Sequence, residues 1–333
     1  MKPVIFGLSG PELTAQERAF FREAEPLGYI LFGRNCMDRA QMLALTDSLR
    51  DLSGRDDVPI LIDQEGGRVS RMKPPEWQPF PAGPAFDALY DLAPSSAIEA
   101  ARANGHALAL MLTEVGVNVN CAPLLDVRQA ETTPAVGERT FGSEPMRVAA
   151  LGRAMLDGMA RGGVVGIVKH MPGHGRGVVD SHYELPVVTA TDAELESDIE
   201  PFRTLRNAPM GMTCHVVFKA WDADNPATLS PTIIRDVIRG RIGFDGLLMT
   251  DDIDMKALSG TAGDKAAAAV AAGIDVALDC WARMDEMEEI AGKLGDASAE
   301  TLARLDRAMA SVKPEAADID TLVAKRDALL ALV

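Results

Sequence analysis

Short apolar runs alternate with longer amphipathic stretches along the chain, the order expected of a parallel sheet wrapped by helices. Eight runs read as strands: 4–8, 29–32, 58–62, 117–122, 164–168, 210–214, 246–249 and 274–278. The stretches between them carry helix punctuation. Thr14 with Glu17, Ser96 with Glu99 and Thr191 with Glu194 have the spacing of capping boxes. They predict helices over about 14–25, 96–115 and 191–205. Ser230-Pro231 places an N-cap before a proline at the first helical position, and that helix runs to Arg239. Leu43, Leu45 and Leu49 supply much of the apolar face expected of a helix over 38–52. Further helices are expected over 145–161 and 265–272, and three more over 284–294, 299–310 and 319–332. A proline-rich loop (Pro74, Pro75, Pro79, Pro81, Pro84) is too long for a simple connection and reads as functional.

Eight strands, each followed by a helix, predict a (β/α)8 barrel over residues 1–333 as one domain, with the helices of about 284–333 packing on it. A doubly wound sheet is the competing architecture. No strand-to-helix turn here shows the glycine fingerprints by which such sheets bind phosphates.

Polar positions sharpen that picture. Asp63, Asp126, Lys169-His170, His215, Asp251-Asp252 and Asp279 all stand at strand C-terminal ends. In a barrel this gathers them on the face where active sites of the fold lie. Any single aspartate there can be a helix cap; together they predict an enzyme site. The densest stretch, 166–186, reads G-I-V-K-H-M-P-G-H-G-R-G-V-V-D-S-H-Y-E-L-P and holds three of the five histidines. Its four glycines and Pro172 keep it from being a helix.

Composition excludes several classes. With 33 Lys and Arg against 49 Asp and Glu, the net charge is −16, which argues against a nucleic-acid partner. No apolar run reaches transmembrane length, so no membrane partner is expected. The first ten residues are broken too soon by glycine to act as a signal peptide. Cys36, Cys121, Cys214 and Cys280 lie far apart with no metal-type spacing and read as reduced thiols. A cytoplasmic, monomeric protein is the expectation.

Two chemistries can use the rim. Metal-assisted hydrolysis would take His170, His174, His182, His215 and an aspartate as ligands. Against it, the first strand lacks the His-x-His pair usual in such barrels. Pro172-Gly173 also rules out a helical His170/His174 pair, and Lys169 adds positive charge. The second chemistry is acid/base and nucleophile work on a neutral polar substrate. Asp63, Arg71, Arg139, Lys169 and His170 would hold the hydroxyls of a sugar, and glycoside cleavage needs a carboxylate nucleophile and a separate proton donor. Asp251 can be the nucleophile, although spacing alone does not choose among Asp63, Asp251 and Asp252. In an extended segment Asp180 and His182 share one side, so the carboxylate can orient the imidazole. A non-catalytic sugar-binding barrel is the third reading.

The blocks Lys169-His-Met-Pro-Gly-His-Gly175 and Asp180-Ser-His182 resemble those of the single-domain β-N-acetylhexosaminidases of glycoside hydrolase family 3. Asp63-Gln-Glu-Gly-Gly-Arg-Val-x-Arg71, Gly137-Glu-Arg-Thr-Phe-Gly142 and Thr250-Asp-Asp-Ile-Asp-Met255 match the other blocks in order. The resemblance implies a (β/α)8 barrel without metal or cofactor. It makes Asp251 the nucleophile, His182 the general acid/base and Asp180 its partner. Asp63, Arg71, Arg139, Lys169 and His170 become binding residues for a terminal N-acetylglucosamine. The implied substrate is a carbohydrate, N-acetylglucosamine linked to an anhydro-muramoyl peptide from cell-wall recycling. Met171 and Thr140 stand where phenylalanine and serine are more usual. Asp252 reads as a helix cap or a partner for Lys256.

Overall fold

Each of the eight apolar runs supplies one strand of a closed, all-parallel barrel in the computed structural model, which describes residues 1–181 and 183–333. The barrel strands are β1 (Lys2–Gly7), β2 (Pro26–Leu31), β3 (Ile60–Ile62), β4 (Val119–Asn120), β5 (Val165–Met171), β7 (Met210–Thr213), β9 (Leu247–Asp252) and β10 (Val276–Asp279). They follow one another around the barrel in chain order, and β1 pairs with both β2 and β10 to close it. Two short strands were not legible as such. β6 (Val187–Val188) and β8 (Val217–Phe218) pair outside the barrel and join the connections that follow β5 and β7.

Period-two alternation sorts the strand side chains into two layers. Ile5, Leu61, Val119, Val165, Ile167, Met210, Met212, Leu247, Met249, Val276 and Leu278 form a cluster drawn from seven of the barrel strands, joined by Leu27 and Ile30 from β2. This is the filled interior of the barrel. Their neighbours of opposite phase, among them Val4, Phe6, Ile60, Ile62, Val168 and Leu248, belong to the layer under the helices. Leu305 and Ala308 of the helix Ala299–Met309 join the inner cluster. The same helix sends Arg304 to Asp275, at 2.9 Å, at the start of β10. It therefore plugs the end of the barrel where the strands begin, leaving the other end for chemistry.

Outside, the helix Pro94–Thr113 packs on Pro145–Arg161 at close range. A Cβ on Gly105 would stand 2.5 Å from the carbonyl oxygen of Met155, and one on Gly158 2.2 Å from that of Arg102. Glycine is needed at both crossings. The helix Ile319–Leu330 lies against Pro94–Thr113, and Arg326 donates to Asn104 at 3.1 Å.

Two of the three capping boxes form. Thr14 and Glu17 exchange bonds of 2.8 and 3.1 Å, and Thr191 and Glu194 do the same. The Ser96/Glu99 box does not. That helix starts two residues earlier, at Pro94, because proline is preorganised for the first helical position. Glu99 instead pairs with Lys325 and Arg102. The proline-rich loop is shorter than expected, since its end winds into the helix Gly83–Leu92. In the helix Arg39–Ser53 the buried stripe is Met42, Leu45, Thr46 and Leu49, while Leu43 faces solvent. Leu43 lies one residue off the 3.6 period that the other four obey.

Candidate active site

The strand ends opposite the plug surround a cavity of about 380 Å³. Its floor is the top of the inner cluster, Ile30, Met212 and Leu278. Its wall takes Asp63, Arg71, Arg139, Lys169, His170, Asp180 and Asp251. Seven of the eight candidate residues thus converge, from the ends of β3, β5 and β9 and the connections after β3, β4 and β5. The eighth, His182, lies outside the described residues.

The wall is built as an ionic chain of alternating sign. Arg71 donates to Asp63 at 3.0 Å, and Lys169 sits 3.1 Å from Asp63 and 2.7 Å from Glu65. Arg139 grips Glu65 with two bonds, 2.9 Å from Nε and 2.6 Å from Nη2. Lys169 is almost fully buried, so it is tolerated only because two carboxylates neutralise it. Burial alone would raise Asp63, but Lys169 and Arg71 hold it far below the usual carboxylate range. Burial would lower Lys169, and Glu65 with Asp63 outweighs it, keeping the ammonium charged. Part of each donor remains for a ligand: Lys169 has one N–H beyond its two carboxylates, and Arg139 two beyond Glu65 and the Ala135 carbonyl.

A second unit holds the nucleophile candidate. The buried Asp126 accepts the backbone N–H groups of His170 and His174 at 3.2 and 2.7 Å. Its other oxygen is 2.7 Å from Nδ1 of His170. Burial pushes Asp126 up, and the His170 ring with these bonds brings it down to about 2. The ionised carboxylate accepts the Nδ1–H of His170 and so turns Nε2 toward Asp251, 3.9 Å away. The Asp251 carboxylate also accepts the backbone N–H of Asp252 at 2.8 Å. Burial opposes its charge, but the nearby His170 and His215 rings and this N–H hold Asp251 below the ordinary carboxylate range. It is an anion poised at the cavity.

Other rim residues have different duties. His215 uses both nitrogens structurally, Nδ1 on Thr228 at 2.8 Å and Nε2 on the Asp252 carbonyl at 2.9 Å. His170 is committed to Asp126, and among the described residues no three acidic, histidine or cysteine groups share a metal-sized space; His182, the fourth histidine of that arrangement, lies outside them. Asp252 is neither a helix cap nor a partner of Lys256. It accepts the N–H groups of Asp254 and Cys280 at 3.2 and 3.4 Å. Asp279 does not reach the cavity: its carboxyl is fully buried with both oxygens unpartnered. Burial, then Asp252 and Glu286, push it up to about 7.

Glu65 was given no role in the sequence, and Asp126 was given a place on the rim but no partner. Glu65 stands two positions beyond Asp63 in the same block, a spacing that could have flagged it. Asp126 was visible as a rim carboxylate, but nothing in the spacing paired it with His170.

Residues 12–314 match the glycosyl hydrolase family 3 N-terminal domain. The chain is 36% identical over 284 residues to a β-hexosaminidase of Bordetella avium, covering 84% of this chain and 80% of that protein. It is 39% identical over 288 residues to one of Chromobacterium violaceum, covering 84% and 78%. Among solved structures, native NagZ from Neisseria gonorrhoeae superposes with a TM-score of 0.86 at 29% identity, over 100% of this chain and 96% of that one. The same protein has been solved with N-trifluoroacetyl-D-glucosamine bound. A barrel with these ionic blocks at its open end, matched by the family over nearly its whole length, places this chain in glycoside hydrolase family 3, among the β-N-acetylhexosaminidases.

Proposed function

We propose that the protein is a retaining exo-β-N-acetylglucosaminidase that releases terminal N-acetylglucosamine from peptidoglycan fragments. The observation that carries this reading is the ionised Asp251 at a small cavity whose opposite wall is the Arg71–Asp63–Lys169–Glu65–Arg139 chain. At about 380 Å³ the cavity lies near the lower end of the roughly 300–1,000 Å³ usual for ligand sites. That suits one sugar ring with its acyl group and so an exo mode of action.

In this reading Asp63, Arg71, Arg139, Lys169 and His170 hold the hydroxyls and acyl group of the terminal sugar. Charge-assisted bonds to fixed partners orient it without further rearrangement. Asp251 attacks the anomeric carbon, the glycosidic bond breaks, and His182 gives its proton to the departing oxygen. His182 then removes a proton from water, which displaces Asp251 from the sugar. Two inversions leave the configuration retained. Asp180 acts as the partner that orients His182. An imidazole suits both proton transfers because its ordinary pKa already lies near neutrality. The same reading takes the chain as one catalytic domain, acting as a cytoplasmic monomer.

The test is trapping with a 2-deoxy-2-fluoro or 5-fluoro glycosyl analogue, followed by peptide mapping. A label on Asp251 is expected; a label on another residue overturns the assignment. Turnover of an aryl β-N-acetylglucosaminide should persist in chelator. Comparing kcat/KM for an N-acetylglucosaminyl-anhydro-muramoyl peptide and for chitobiose tests the substrate, and equal values would remove the peptidoglycan preference.

A further inference from the structure

Trp281 stands at the mouth of the cavity, 55% exposed, two residues after the end of β10. Single exposed aromatics are common and usually mean little. This one differs from the other two tryptophans of the chain in being left open. Trp77 is buried. Trp221 is covered by the guanidinium of Arg241 at 5.4 Å and donates its indole N–H to Asp192. Among the described residues Trp281 has no aromatic or guanidinium neighbour on its faces and no partner for its N–H.

It is also held firmly from behind. The preceding residue, Cys280, is buried, with its N–H on the Asp252 carboxylate at 3.4 Å and its carbonyl accepting from Arg34. The following residue, Ala282, packs on the core and takes φ +56, a conformation that residues with a Cβ seldom adopt. A buried residue, an exposed ring and a packed alanine in the left-handed region aim the indole outward beside Asp251 and Asp252. Such a departure at a functional mouth is expected where geometry serves the site. The anchor is shared with the nucleophile: Asp252 gives its backbone N–H to Asp251 and its carboxylate to Cys280.

We propose that Trp281 is the platform on which the second sugar of the substrate stacks, making a pyranose ring the preferred leaving group. An indole offers a flat apolar face to the C–H groups of a sugar ring and an N–H at its edge for a hydroxyl. The inference rests on the reading that one terminal sugar fills the cavity, so that the next ring leaves across its rim.

The experiment compares two N-acetylglucosaminides, chitobiose with a pyranose leaving group and the 2,2,2-trifluoroethyl glycoside with none. The ratio of their kcat/KM values is measured for the wild type, Trp281→Ala and Trp281→Phe. Trp281→Ala should lower the ratio about ten-fold, the order expected for one lost aromatic contact, and Trp281→Phe should restore most of it. An unchanged ratio in Trp281→Ala overturns the platform, as does a Phe variant no better than Ala. If the wild type cleaves neither compound, the glycosidase reading itself fails and the platform falls with it. If it cleaves both, the two ideas are separated.

Discussion

Asp126 and Asp251 address opposite nitrogens of one imidazole, that of His170, at 2.7 and 3.9 Å. The first contact fixes the ring's tautomer, and the second sets what the nucleophile candidate meets. Asp126→Asn separates the two effects. The amide oxygen can still accept the backbone N–H groups of His170 and His174, so the fold should survive. The amide nitrogen, placed opposite Nδ1, would drive the ring proton to Nε2. We expect kcat/KM to fall by about a hundred-fold or more, in line with other wrong-tautomer substitutions, with the urea midpoint little changed. Unaltered kcat/KM would remove this role from Asp126.

Lys169→Met should be costly for folding as well as for binding. It leaves Asp63 and Glu65 buried without the ammonium between them, and breaking a buried pair in this way costs about 3 kcal/mol or more. Adding Glu65→Gln then takes from the buried Arg139 the carboxylate it grips with two bonds, so the double variant should lose further stability. Urea denaturation of the single and double variants measures both. A double variant as stable as the single, or more so, would show that Glu65 is held for Lys169 and not for Arg139.

Asp279 offers a pH test with a definite sign. Its folded carboxyl titrates at about 7 against an unfolded value near 4. Between those values the folded chain holds the extra proton, so its contribution to stability is complete below about pH 4 and is lost as pH rises through 7. Asp279→Asn should therefore be the more stable protein at pH 8, by about 4 kcal/mol, and equal to the wild type near pH 4. Denaturation curves at the two pH values decide it. A variant less stable at pH 8 would mean that the ionised carboxylate has a stabilising partner.

Asp251→Ala should abolish turnover of aryl β-N-acetylglucosaminides. The neighbouring variant Asp252→Asn keeps an oxygen for the Cys280 N–H and should retain most of it. Comparable losses in both would leave the nucleophile unassigned between them.

Much of this was legible in the sequence because the barrel writes itself as a repeated pattern. Eight apolar runs with ionisable residues at their ends foretold both the closure and the face that carries the site. Asp63, Arg71, Arg139, Lys169, His170 and Asp251 were readable because their types are expensive to bury and stand where the fold turns them inward. What escaped notice lies in pairing between distant segments. That Asp126 serves His170, 44 residues away, or Glu65 serves Arg139, 74 residues away, depends on the curvature of the closed sheet. Leu43 and Ser96 misled for a local reason, since a leucine one step off phase and a serine inside a proline-started turn look like their functional counterparts.

The alternating chain from Arg71 to Arg139 limits how this pocket can drift. Replacing Asp63 or Glu65 takes a partner from two cations at once, and replacing Lys169 or either arginine leaves a buried carboxylate with one cation in place of two, so no single step is free of cost. Matched exchanges, an acid together with a base, come nearest to leaving the balance intact, and except for Asp63 with Arg71 these require two changes in segments far apart in the chain. The apolar layers beneath can be repacked one residue at a time. The wall of charges should therefore change far more slowly than the barrel that supports it.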